Sequence, residues 1–145
     1  MTATYSPISV VRPDEFASGT AQTPGSLRLA AVAPLQGVDT ALWGGLFEVE
    51  PGGRTGIHHH GRQETIAYVL SGVCEIRWGA QGEYAARAQG GDFIHVPAWV
   101  PHMELNPSAT EPFRWVVVRS TSTPIVVNLP DDIWPAGPAE RNSQQ

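Results

Sequence analysis

Short runs in which apolar and polar residues alternate fill the middle of the chain, separated at near-regular spacing by glycine- and proline-rich turns. The alternation predicts strands over 27–32, 42–50, 64–70, 73–78, 83–88, 93–96, 102–106, 113–119 and 125–129, because successive side chains of a strand point to opposite faces. Within 42–50, Trp43, Phe47 and Val49 share one face, and Gly44, Leu46, Glu48 and Glu50 the other. Pro51-Gly52-Gly53 then turns the chain into a histidine-bearing strand. A short edge strand is expected at 8–11 and one helical turn at 14–16. No longer helix is expected. Eight to ten short strands without an internal repeat predict an all-β fold: a single-domain antiparallel sandwich, jelly roll or β-barrel.

Composition narrows the partners. At 145 residues the chain fits one domain able to bury a core. Its net charge of −5 argues against nucleic acid, which needs a basic surface. All nine basic residues are arginine, so no lysine can serve as a Schiff-base nucleophile. One cysteine, Cys74, rules out an intrachain disulfide and reads as a small buried side chain. With no signal-peptide pattern and no apolar window of membrane length, the expected address is the cytoplasm, away from any membrane.

Three of the five histidines stand together at His58-His59-His60, and Glu64 follows. In an extended strand His58 and His60 share a face while His59 takes the other. Two imidazoles on one face with a nearby carboxylate make a partial coordination shell for a divalent metal. A second segment, 91–106, places His102 at a strand start after the stiff, proline-bounded loop 97–101.

Together these segments resemble the two motifs of the cupin family. Gly52, His58, His60, Glu64 and Gly72 follow the first, and Gly91, Pro97, His102 and Asn106 the second, with Trp99 where the family usually has glycine. The resemblance covers roughly 27–129, leaving an N-terminal arm of 1–26 and a frayed C-terminal tail of 130–145 around a single cupin domain of 1–145. It implies a jelly-roll barrel whose mouth holds one divalent transition metal (iron, manganese, nickel or zinc), with His58, His60, Glu64 and His102 as ligands. One spacing departs from the motif: seven residues separate Glu64 from Gly72 instead of six, which puts Thr65 at the ligand position. Either a one-residue bulge lets Glu64 reach the metal, or Glu64 turns away and three histidines remain. If Glu64 faces inward, Ile66 and Tyr68 do so too.

Secondary candidates are Glu104, which shares parity with His102 and Asn106, and Tyr68, both weak candidates for catalytic groups. His95 could line the cavity or sit in the core. Arg54 and Arg62 flank the histidines and read first as loop charges. The resemblance implies a metal-dependent enzyme on a small oxygenated or anionic metabolite, of oxygenase, isomerase, lyase or decarboxylase type. The alternative is a non-catalytic module that binds or senses a small ligand. Homodimers are common among small cupins, and 8–11 and 125–129 are the strands available for exchange.

Overall fold

The computed structural model describes residues 5–18, 23 and 25–135. Ten strands run through it: β1 (Leu27–Val32), β2 (Trp43–Val49), β3 (His58–His59), β4 (Thr65–Ser71), β5 (Val73–Trp78), β6 (Tyr84–Gln89), β7 (Phe93–Val96), β8 (His102–Leu105), β9 (Phe113–Arg119) and β10 (Val127–Asn128). They form two five-stranded antiparallel sheets, ordered β1-β2-β9-β4-β7 and β10-β3-β8-β5-β6. This is the expected jelly-roll barrel. Every neighbouring pair is antiparallel, so alternation sends one face of each strand into the barrel.

The histidine strand is shorter than the sequence suggests, since pairing stops at His59 and the chain turns at Gly61, where φ is +56°. Pro13–Glu15 forms the expected helical turn, but 8–11 pairs with nothing among the described residues. Among the described residues the arm forms one isolated bridge to the barrel strands, Ala17 to Ala30. Among the described residues no helix is long and apolar enough to cross a membrane.

Two apolar clusters form among the described residues. The larger packs Trp43, Phe47, Val69, Phe113, Trp115 and Val117 between the sheets, with the Phe47 and Trp115 rings 5.2 Å apart. It fills one part of the barrel with aromatic bulk and leaves the rest to polar side chains. The smaller cluster lies outside the second sheet, where Trp134 covers Ile57, Met103 and Leu105. Trp134 is 1% exposed and its indole N–H donates to the Gly79 carbonyl at 3.1 Å. The chain therefore stays packed as far as Trp134, which corrects the expectation of a tail frayed from 130; residues 136–145 lie outside the described set. Because Trp134 covers one face of β8, all four β8 residues are buried: Met103 and Leu105 beneath the tryptophan, His102 and Glu104 towards the barrel interior.

Gly72 shows why the first motif ends in glycine. Its φ is +80°, and a Cβ there would fall 2.4 Å from the Pro112 carbonyl oxygen. A side chain would force β9 away from β4.

Candidate metal centre

Register brings the distant histidines together. His58 on β3 lies opposite His102 on β8, and His60 follows within the same turn of chain. Ring centroids are 4.4 Å apart for His58 and His102, 5.0 Å for His58 and His60, and 5.1 Å for His60 and His102. One ring nitrogen from each lies within 4.8 Å of the others, and all three residues are buried.

Each ring is fixed by a backbone carbonyl. His58 Nδ1 sits 2.9 Å from Gly56 O, His102 Nδ1 2.8 Å from Val100 O, and His60 Nδ1 2.8 Å from Ile125 O. A carbonyl only accepts, so each Nδ1 carries the proton and each Nε2 keeps its lone pair. His102 Nε2 is buried without a hydrogen-bond partner. Such an orphan costs about 1–3 kcal/mol when nothing satisfies it. Three Nε2 lone pairs with anchored Nδ1–H groups are the donor set of a divalent transition metal.

The carboxylate beside them is Glu104. Its Oε2 lies 3.7 Å from His58 Nε2 and its Oε1 3.5 Å from His102 Nε2. The Thr55 hydroxyl is 3.0 Å from Oε2 and accepts the Glu104 backbone N–H at 3.0 Å, so both ends of the residue are tied to one threonine. Glu64 is elsewhere. Its side chain is 60% exposed on the outer face, where Oε1 is 2.9 Å from His95 Nε2. The expectation of Glu64 as a ligand is thereby corrected.

The physical reason is strand parity. Over 61–70 burial alternates strictly, with Gln63, Thr65, Ala67 and Val69 inward and Glu64, Ile66, Tyr68 and Leu70 outward. Tyr68 packs against Phe93 on the outside and has no place at the histidines. Thr65 holds the inward position that the spacing to Gly72 indicated. Arg119 Nη1 donates to its hydroxyl at 2.7 Å. Sequence reasoning missed Arg28 and Arg119, both buried and lining an inner cavity with His60, His102 and Glu104. Their signal was an arginine at an inward position of an otherwise apolar strand.

Of the remaining candidates, His59 turns away and accepts the Gly61 N–H at 3.0 Å. Arg54 faces Asp131 at 3.9 Å and Arg62 is exposed.

Burial sets the charge states. It pushes His58 down to about 3, with Glu104 pulling the other way. Burial first, and the Arg119 charge second, lower His60 well below the usual imidazole range. Burial alone would raise the Glu104 carboxyl; the charge that His58 and His102 gain on protonation pulls it lower, so carboxylate and imidazoles titrate as one coupled group. Desolvation lowers Arg28 to about 10 and Arg119 to about 9, which leaves both cationic at neutral pH. Neutral imidazoles thus face an ionised carboxylate.

An outer cleft of about 560 Å³ opens between β6 and β7, lined by Ile76, Trp78, Ile94, Val96 and Val100, with His102 at its wall. The inner cavity, about 10 Å³, shares Val96 and His102 with the cleft. A small molecule entering the cleft therefore arrives beside His102.

A family model described as Cupin domain matches residues 45–119. No curated protein matches the sequence. Among solved structures, the polyketide cyclase RemF from Streptomyces resistomycificus is 22% identical over 88% of this chain and 91% of its own, with a TM-score of 0.68. An oxalate oxidase is 21% identical over 78% of this chain and 59% of its own, with a TM-score of 0.63. The oxalate decarboxylase from Bacillus subtilis is 23% identical over 74% of this chain and 28% of its own, with a TM-score of 0.63. The chain thus spans less than two thirds of the two oxalate enzymes.

Proposed function

This chain belongs to the cupin domain family, and we propose that it is a metal-dependent enzyme acting on a small oxygenated or anionic metabolite. The observation that carries the reading is the convergence of three buried imidazoles, each with Nδ1 bound to a backbone carbonyl and Nε2 free to ligate. His58, His60 and His102 would hold a divalent transition metal, with Glu104 supplying the carboxylate. When bound, such an ion polarises a substrate oxygen or brings substrate and dioxygen together. Glu104 keeps its carboxylate ionised beside His58 and His102, ready to ligate or to take a proton from substrate. The apolar cleft excludes water from that exchange and positions the substrate body.

Metal analysis of protein purified without a tag or chelator tests the reading. The expected result is about one divalent ion per chain in the wild type and at least about a tenfold loss of affinity in His102→Ala. Full occupancy in His102→Ala would refute the ligand set. Turnover of small acids and diketones by the metal-loaded protein, followed by oxygen uptake and product analysis, separates an enzyme from a binding module. The outer face of the first sheet, with Leu27, Ile66, Tyr68, Leu70 and Val118 exposed, supports pairing of two copies. Light scattering checks it: a monomer at micromolar concentration removes the dimer.

A further inference from the structure

Arg119 is a buried cation beside the histidines that the metal-centre reading does not use. It is 4% exposed, its Nη1 donates to Thr65 Oγ1, and its Nε finds no hydrogen-bond partner. The inner cavity that it lines with His60, His102 and Glu104 has about the volume of one water molecule, enough for one carboxylate oxygen. Val96 and His102 line both that cavity and the apolar cleft of about 560 Å³. A fixed positive charge thus lies behind the inner wall of an apolar chamber.

Charge balance points the same way. A divalent ion held by the histidines would add positive charge to a cavity already lined by Arg28 and Arg119, against the one carboxylate of Glu104 in its lining. Uncompensated charge in a dry interior is costly, and an anion relieves it. Arg28, lining the same cavity, adds to the attraction. A guanidinium matches a carboxylate in shape and hydrogen-bond direction better than it matches a neutral oxygen.

We infer that Arg119, braced by Thr65, anchors the carboxylate of a small amphiphilic organic acid whose apolar body fills the cleft. The inference rests on the metal-centre reading for its full strength, since the ion adds to the pull on the anion, but the Arg119 anchor exists without it.

Calorimetric titration of benzoate and its neutral counterpart benzamide into manganese-loaded and metal-free protein tests the anchor. Benzoate is expected to bind both forms, more tightly with manganese, and benzamide at least about tenfold more weakly. Arg119→Gln should lose at least about tenfold in benzoate affinity while keeping or improving manganese affinity, because a neighbouring cation has gone. Arg119→Lys should recover part of the loss. Equal binding of benzoate and benzamide, no benzoate binding to either form, or unchanged benzoate affinity in Arg119→Gln would each overturn the inference. Should Arg119→Gln fail to fold, Thr65→Val decides: weakened benzoate binding supports the anchor and unchanged binding overturns it. If manganese does not bind the wild type, the metal reading falls alone, and Arg119-dependent benzoate binding by metal-free protein still upholds the anchor.

Discussion

Trp99 holds a backbone φ of +68°, alone among the described non-glycine residues. A bulky side chain in that region costs about 1–2 kcal/mol. The position is the one where the second cupin motif usually has glycine, and its N–H donates to Gly61 O at 2.8 Å, tying the loop before His102 to the turn after His60. Trp99→Gly should relieve the strain and stabilise the protein by about 1 kcal/mol, read as a rise in melting temperature. The carboxylates give a second comparison. Glu104→Gln should weaken metal binding at least about tenfold, and Glu64→Gln should leave it unchanged, by titration of each variant with manganese. The contrast between those two residues also marks the limit of what was legible. Both lie within histidine motifs, and Ile66 and Tyr68 suggested an apolar inner wall that would have taken Glu64 with it. They are instead 52% and 36% exposed on the outside. The spacing to Gly72, which pointed to Thr65, carried the true register. His58, His60 and His102 were legible because motif spacing fixes them. Arg119 was not, because alternation alone cannot tell a buried cation from a strand-end charge.

The strands themselves were mostly legible. Alternation placed β1, β5, β7 and β9 at their observed bounds, since each has one face on the core and one on the outside or under a covering segment. β3 was not legible as a two-residue strand, because its length is set by the turn at Gly61 and by partners far along the chain. The loop 120–125 is one of these. Gln63, fully buried, donates from Nε2 to Thr123 O at 2.6 Å and accepts the Ile125 N–H at 2.9 Å. The Ile125 carbonyl in turn fixes His60. Gln63→Ala should therefore lower stability by about 1–3 kcal/mol and metal affinity by about tenfold, checked by denaturant melts and manganese titration. Loss of stability with metal affinity intact would show that His60 keeps its orientation without the loop.

For the molecule as a whole, the buried histidines make stability depend on acid. In the folded state His58 stays neutral down to about pH 3, whereas an unfolded imidazole takes a proton near pH 6.5. Between those values the unfolded chain binds more protons, so stability is fully present above about pH 6.5 and falls as pH drops towards 3. His60 acts in the same sense. Denaturant melts of metal-free protein should show a fall of about 1.4 kcal/mol per pH unit for each such histidine. Replacing His58 by a non-titrating residue should reduce that slope by one proton's worth.

The smallest strand has a consequence for synthesis. β3 is held on one side by β8 and on the other by β10, both made long after it. A nascent chain that has emerged only through the first histidine motif has nothing to pair those imidazoles with. If His58, His60 and His102 hold a metal as proposed, its capture would wait for β8, which brings His102, and the centre would be loaded on a nearly finished barrel, not on a growing one.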